Sequence, residues 1–587
     1  MRSLNPFHWR RSTTEFDEVD LKLRDRCVEC DASLVADSTY SSIRVCEACR
    51  KHYLIPASLR VKSLVDEKSF KETNRDLVSA DPLTFDDSKP YAATLAELSA
   101  ALRLSDALVT GAATLHGHHI VLAVIDFRFM GGSMGVVVGE KLARAAEHAA
   151  KHHRPLITVV SSGGARMQEG MFSLLQMAKT ASTVEQMKRN GSLYVSVLTS
   201  PTTGGVFASF ASLGDVVVAE PGALIGFAGP RVVEELLGLP LPPESHSAEF
   251  LFEHGLVDAI VDRAGLREHI ATLLEVMAPR TKEPDQTVIA PRRDDHKAAS
   301  VPAWEIVQKA RIESRPTTLD YISAIVEPFV ELHGDRQGGD DPAVIAGLGR
   351  IAGFPVAIAG FERGHGEDQA SRRCGRPMPH GYRKIQRIMR LAAQVRVPLV
   401  SFIDTPGAYP GIESERSGLA SEIARTLAIA STLKTPTVAI VIGEGGSGGA
   451  LALAVADRVF IQETAFFSVI APEGAAAILY RDGSKAAELA EALKITPGEL
   501  LALGLVDDVI PESPDGKTLD LEYAGNQIRH VLGRALDELS KKKPAKLIED
   551  RSRRYRSVGA NYVKSLTPRR ESQRASKPEQ TVVVKSG

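Results

Sequence analysis

Short, nearly continuous apolar runs alternate with amphipathic stretches from about residue 82 to 275, and the alternation returns between about 317 and 540. In the first region Val121–Ile125, Leu156–Val160, Tyr194–Leu198 and Val216–Ala219 read as strands covered on both faces. Gly139–Lys151 and Met171–Met187, between them, carry helical spacing. In the second region the strand-like runs are Val356–Ala359, Leu399–Ile403, Val438–Ile442 and Arg458–Ile461. Apolar runs separated by helical patterns predict α/β architecture with largely parallel strands, built twice.

Between the two regions, residues 281–300 are charged and proline-containing, a linker by composition. The predicted order is a lead-in over 1–25, a compact cysteine segment over 26–60 and a first α/β unit over 61–280. A linker with a short helical segment over 281–316, a second α/β unit over 317–560 and a basic tail over 561–587 complete the chain.

The two units share more than periodicity. Pro155-Leu-Ile-Thr-Val-Val leads into Ser161-Ser-Gly-Gly164, and Pro398-Leu-Val-Ser-Phe-Ile leads into Asp404-Thr-Pro-Gly407. A second glycine pair follows each: Gly205 closes one pair 50 residues after Pro155, and Gly449 closes the other 51 residues after Pro398. Asp215 and Pro230 recur as Asp457 and Pro472, each pair 15 residues apart, and both copies close on Gly-Leu-Val-Asp, at 255–258 and 504–507. The period is too long for a solenoid. It describes two domains of one fold, each with two glycine-rich turns.

Three familiar glycine motifs fail on their context. Gly443, Gly445 and Gly448 fit a dinucleotide fingerprint, but of the acidic residues that follow, Asp457 comes too early and Glu463 is a poor fit. Ser447 fits a nucleophile elbow, yet the only later histidine is His530. Asp404-Thr-Pro-Gly407 resembles a GTPase switch in a chain that has no phosphate loop with its lysine. The alternative is that backbone N–H groups do the chemistry. Adjacent glycines at a strand-to-helix turn let an anionic oxygen approach the backbone, and the helix dipole adds positive potential. One such pair alone would favour close packing as its purpose. Two at matched offsets favour oxyanion holes.

Composition adds limits. Apolar and charged fractions of 44% and 25% are those of an ordinary soluble protein. From Lys541 onward 14 Lys/Arg face 4 Asp/Glu, so the net charge of −2 hides a basic end of +10 and a remainder of −12. The basic end has no interleaved aromatics and reads as a solvated tail rather than a nucleic-acid-binding one. No apolar run is long enough to span a membrane and the first residues lack a signal-peptide core, so a cytoplasmic location is expected. Four of the five cysteines form Cys27-x-x-Cys30 and Cys46-x-x-Cys49, fifteen residues apart, which predicts a zinc ribbon with four thiolate ligands and no open position.

With these residues assembled, a family emerges. The ribbon together with Phe129-Met-Gly-Gly-Ser-Met-Gly135, Ser162-Gly-Gly-Ala-Arg-Met-Gln-Glu169 and Ile225-Gly-Phe-Ala-Gly-Pro-Arg231 resembles the beta subunit of bacterial acetyl-CoA carboxylase carboxyltransferase. Gly381-Tyr-Arg-Lys384, Phe402-Ile-Asp-Thr-Pro-Gly-Ala-Tyr-Pro-Gly411 and Ile442-Gly-Glu-Gly-Gly-Ser-Gly-Gly-Ala450 resemble the alpha subunit. The chain looks like a beta–alpha fusion with two crotonase-like (ClpP/crotonase) domains.

The resemblance implies transfer of CO2 from carboxybiotin, carried on a separate biotin carboxyl carrier protein, to acetyl-CoA, giving malonyl-CoA for fatty acid biosynthesis. A carboxyltransferase for propionyl-CoA or a longer acyl-CoA is the alternative. It further implies that Gly204 and Gly205 stabilise the acyl-CoA enolate and that Gly449 and Ala450 face the biotin ureido oxygen. Gly163, Gly164 and Arg166 would line the acyl-CoA side and Gly448 the biotin side, with Arg166 and Arg231 as candidates for the CoA phosphates. Cys27, Cys30, Cys46 and Cys49 would hold one structural Zn2+. No Met-Lys-Met biotin site and no ATP-binding signature are present, so biotin carboxylase and the carrier would be separate partners. The family usually places its site across a subunit interface, which implies at least a homodimer. Glu413-Ser-Glu-Arg-Ser-Gly-Leu419 departs from the alpha-subunit pattern and leaves the oxyanion turns untouched.

Overall fold

The computed structural model describes residues 24–86, 89–229, 233–234, 242, 244–280, 301–514 and 519–563. The lead-in before residue 24, Arg231, the linker over 281–300 and the basic tail beyond 563 lie outside them.

Among the described residues two eight-stranded sheets form, one in each half, with the same topology. The first contains β1 (Lys71–Thr73), β2 (Leu108–Leu115), β3 (His118–Ile125), β4 (Leu156–Ser162), β5 (Tyr194–Thr203), β6 (Val216–Ala219), β7 (Ile225–Gly226) and β8 (Ala259–Ile260). Its order is β1-β2-β3-β4-β5-β6-β8, with β7 added beside β5. The second contains β9 (Phe329–Glu331), β10 (Val344–Ile351), β11 (Phe354–Phe361), β12 (Leu399–Thr405), β13 (Thr437–Gly446), β14 (Arg458–Gln462), β15 (Phe466–Ser468) and β16 (Asp508–Ile510). It runs β16-β14-β13-β12-β11-β10-β9, with β15 beside β13.

All eight predicted strands are present. The strands β2 and β10, which the apolar pattern did not single out, form antiparallel hairpins with β3 and β11. Their two-residue turns, His116-Gly117 and Ala352-Gly353, both hold positive φ at each residue, as the type I′ turn requires. The edge strands β1 and β9 also pair antiparallel, with β2 and β10, and from β3 and β11 onward the sheets are parallel. Parallel strands need crossover helices, and these bury both sheet faces.

Seven helices are used below. They are α1 (Val136–His152), α2 (Gly170–Arg189), α3 (Gly204–Phe207), α4 (Ala303–Ala310), α5 (Pro379–Val395), α6 (Ser447–Ala454) and α7 (Pro544–Ser557). The repeat extends into their buried polar groups. Lys141 of α1 donates to the Leu108 carbonyl at the start of β2 at 3.0 Å. Lys384 of α5 donates to the Val344 carbonyl at the start of β10 at 2.9 Å. Asp215 accepts from the Tyr194 amide and Asp457 from the Thr437 amide, each at 2.9 Å, tying the start of β5 or β13 to the following loop.

These aspartates differ in who pairs their charge. In the first half, Asp215 pairs with Lys188 of α2 and also accepts from the Gln394 amide of α5, while Asp258 pairs with Arg387 of α5, from the second half. In the second half, Asp457 and Asp507 are met by Arg551 and Arg554 of α7. One buried cluster runs through both halves, joining Ile270 and Leu274 to Val330, Leu348 and Leu391. The cysteine segment is clamped to the first sheet by Arg263. Its guanidinium donates to the Ile43, Arg44 and Tyr53 carbonyls at 2.8–3.1 Å and pairs with buried Glu220.

Candidate active site

In the first half β4 and β5 end side by side, Ser162 opposite Thr202, and each runs into a glycine turn. Gly164 sits at φ +116°, which side-chain-bearing residues rarely adopt, and its amide donates to Ser162 Oγ at 3.1 Å. The Gly204 amide donates to the Phe227 carbonyl at 2.8 Å. The two turns touch: a Cβ built on Gly204 would lie 3.1 Å from Gly164 Cα. A Cβ on Gly164 would lie 3.5 Å from the Gly205 nitrogen, and one on Gly205 would lie 3.6 Å from Ala165 Cβ. Among the described residues, neither the Ala165 nor the Gly205 amide donates to an acceptor. Gly205 lies in the first turn of α3, where helix geometry leaves N–H groups without partners. Two unpartnered donors, one from each turn, thus stand together at a helix N-terminus.

The second half repeats this arrangement. Thr405 lies opposite Gly445, Gly407 holds φ +127°, and its amide donates to Thr405 Oγ1 at 3.0 Å. Ser447, at φ +55°, stands where Gly204 stands in the first half. The Ala408 and Gly448 amides donate to no acceptor among the described residues.

Strand register fixes the correspondence and corrects the sequence alignment by one residue. Thr203 pairs with Gly226 of β7, and Gly446 pairs with Ser468 of β15. Gly205 therefore corresponds to Gly448, each 50 residues after its proline, and Gly449 corresponds to Val206. Ala450, expected as a donor, is the fourth residue of α6. It is fully buried, two positions beyond Gly448. Gly163 is exposed beside the first turn, with its amide on the Gly131 carbonyl at 2.9 Å.

Arg166 also differs from expectation. It is fully buried, forked onto Asp106 at 2.7 and 2.9 Å, and donates to the Ser133 carbonyl and Tyr91 hydroxyl. No face of the guanidinium is left for a phosphate, so Arg166 braces the first turn from below. The second turn has a different brace. Asp404 accepts from the Glu444 amide at 2.9 Å and pairs with Arg363 at 3.1 Å. Arg311, just beyond α4, forks onto Glu444 at 2.7 and 3.0 Å and reaches Glu473 at 2.6 Å. The two sites share their amides and not their supports.

Ala165 and Ala408 had escaped the sequence analysis because an alanine's contribution here is its backbone. The repeated Ser162-x-Gly164 and Thr405-x-Gly407 pairs, each followed by alanine, were the available signal.

The four cysteines of the ribbon bring their sulfurs within 4.8 Å of one another. Cys27 and Cys49 are 3.5 Å apart and Cys30 and Cys46 3.8 Å. A disulfide needs about 2.05 Å; thiolates around a tetrahedral ion with bonds of about 2.3 Å stand about 3.8 Å apart. The donor set therefore fits a four-thiolate metal site. Burial raises the Cys27 thiol, but the Tyr53 hydroxyl, donating at 3.0 Å, and nearby backbone amides bring it down to about 6. Among the described residues no helix is long and apolar enough to cross a membrane.

Comparison with known proteins agrees with this geometry. The family described as acetyl co-enzyme A carboxylase carboxyltransferase-like matches residues 285–559. Acetyl-coenzyme A carboxylase carboxyl transferase subunits beta/alpha of Parafrankia sp. strain EAN1pec is 45% identical over 541 residues, 88% of each chain. The protein of the same name from Salinispora arenicola strain CNS-205 is 44% identical over 548 residues, 92% of this chain and 97% of that one. Among solved structures, transcarboxylase 12S with methylmalonyl-coenzyme A and methylmalonic acid bound superposes with a TM-score of 0.65. That match is 23% identical and covers 83% of this chain and 90% of the other; at such identity it establishes the fold, the crotonase-like one expected from the sequence. The chain belongs to the family of acetyl-coenzyme A carboxylase carboxyl transferase subunits beta/alpha.

Proposed function

We propose that this chain transfers a carboxyl group from carboxybiotin, delivered on a separate carrier protein, to acetyl-CoA, forming malonyl-CoA. The observation that carries the proposal is the matched pair of unpartnered amides, Ala165 with Gly205 and Ala408 with Gly448. Release of CO2 from carboxybiotin leaves a ureido anion. That anion removes a proton from the thioester α-carbon, and the resulting enolate attacks CO2. Charge develops on two oxygens, so two separate sets of preorganised donors are needed and no side-chain base is required. On this account the Ala165–Gly205 pair serves the thioester oxygen and the Ala408–Gly448 pair the ureido oxygen.

Zinc is the ion proposed for Cys27, Cys30, Cys46 and Cys49. With four protein ligands it would be structural, holding together a ribbon whose own core is a few side chains around Tyr40 and Tyr53. A homodimer accounts for the exposed apolar side chains near both turns. Met171, Phe172 and Leu175 line α2, and Phe227 and Val469 follow the short strands β7 and β15. A second copy would cover them and close the sites against water.

Reconstitution tests the proposal. The purified chain, mixed with biotin carboxylase, biotinylated carrier, ATP, labelled bicarbonate and acetyl-CoA, should yield labelled malonyl-CoA. Label appearing only with propionyl-CoA or longer acyl-CoA would replace the substrate assignment.

A further inference from the structure

The two sites are not identical, and one difference between them is a hydroxyl. Tyr382 of α5 is fully buried, and its hydroxyl has no hydrogen-bond partner among the described residues. By position along α1 and α5, each of which ends four residues before its next strand, Tyr382 corresponds to Gly139. The partner position is reversed: Gly449 in the second half stands where the first has buried Val206. Where the first site carries an isopropyl group, the second carries a glycine that the Ala408 backbone and the Tyr382 phenol approach too closely for any side chain.

Two polar atoms converge on Gly449. A Cβ built on Gly449 would lie 3.0 Å from Tyr382 Oη and 2.5 Å from the Ala408 nitrogen. The Ala408 amide is itself without an acceptor. An amide N–H can only donate and a phenol can donate as well, so one acceptor placed between them would satisfy both. A buried hydroxyl left unpaired costs on the order of 1–3 kcal/mol, whereas a phenylalanine would fill the same volume without that cost. Retaining it at the second site alone points to a ligand oxygen. Burial also keeps the phenol protonated far above neutral pH, so it remains a donor when an anion is nearby.

We infer that the Tyr382 hydroxyl is a third donor of the second site, joining the Ala408 and Gly448 amides on the anionic ureido oxygen. The inference rests on the carboxyltransferase assignment above. It accounts for the unequal sites, because charge on a ureido oxygen is best held by several converging donors.

The test is Tyr382→Phe in the full-length chain, assayed by malonyl-CoA decarboxylation with biocytin as acceptor. The hydroxyl's removal should lower kcat by about 10–100-fold, within the range for losing one oxyanion donor or somewhat below it. The KM for malonyl-CoA should stay unchanged, and Tm should be equal or higher because an orphaned polar group has been deleted. Wild-type kcat would overturn the inference and leave the hydroxyl to a buried water. A fall in Tm together with a raised KM for malonyl-CoA would overturn it in favour of a packing role. Wild-type protein without biocytin-dependent turnover would instead refute the carboxyltransferase assignment itself.

Discussion

Arg387, on the helix that opens the second half's crossover, donates to Asp258 Oδ1 of the first half at 2.7 Å. Arg336 meets the same buried carboxylate, whose other oxygen also accepts the Val217 amide at 2.7 Å. One carboxylate therefore ties the end of the first sheet to two cations of the other half. This fastening ties the two halves together through one buried group.

Asp258→Asn should loosen that fastening. It leaves two guanidinium groups without their shared counter-charge, and breaking a buried pair costs about 3–5 kcal/mol. The urea midpoint should fall accordingly, with zinc content unchanged. A midpoint equal to wild type would show that the halves do not depend on this carboxylate.

The same group sets an acid limit. Burial raises the Asp258 carboxyl, but Arg336 and Arg387 outweigh it and hold it below the ordinary carboxylate value. A depressed carboxylate contributes fully above its unfolded value, about pH 4, and loses that contribution as pH falls through the folded one. Wild-type stability should therefore drop below about pH 4 more steeply than that of Asp258→Asn. Parallel acid profiles in urea titrations would contradict this.

Gly448→Val separates folding from turnover. A Cβ at Gly448 meets nothing within 4 Å, so the variant should fold with wild-type Tm. The added bulk stands beside an unpartnered amide, and turnover should fall by about 100-fold or more. Gly205→Val should have a comparable effect on rate, though a Cβ there lies 2.9 Å from Met177 Sδ and the methionine must shift. Full activity in either variant would remove that amide from the account.

Metal analysis of the purified chain should give one zinc per chain, and Cys46→Ser should lose it. Because Cys46 is fully buried and the ribbon core is small, that variant should expose the ribbon to proteolysis near residues 26–56 before the sheets unfold. Zinc well below one per chain in wild type would contradict the four-thiolate assignment.

Much of this architecture was legible in the sequence because buried parallel strands are apolar on both faces. Tyr194–Leu198 and Val438–Ile442 announced themselves in that way. The hairpin strands β2 and β10 did not, since Gly111, Gly347 and Gly349 interrupt their apolar runs where neighbouring side chains or backbone come too close for a Cβ. The glycine turns were visible, but their alignment was not. Four glycines lie among residues 445–449, so residue identity could not show which one matched Gly205, whereas strand register could. Arg166 was misread for a related reason. A guanidinium next to a glycine turn looks like an anion ligand until its counter-charge, Asp106, is found 60 positions away.

The central claim is that one chain carries two oxyanion sites serving two substrates in a single transfer. The initial rate of malonyl-CoA decarboxylation by the purified chain, measured with and without biocytin, tests it most directly. The account predicts a rate that depends on biocytin and saturates with it. Equal rates with and without biocytin would contradict it, because the second site would then have no part in the reaction.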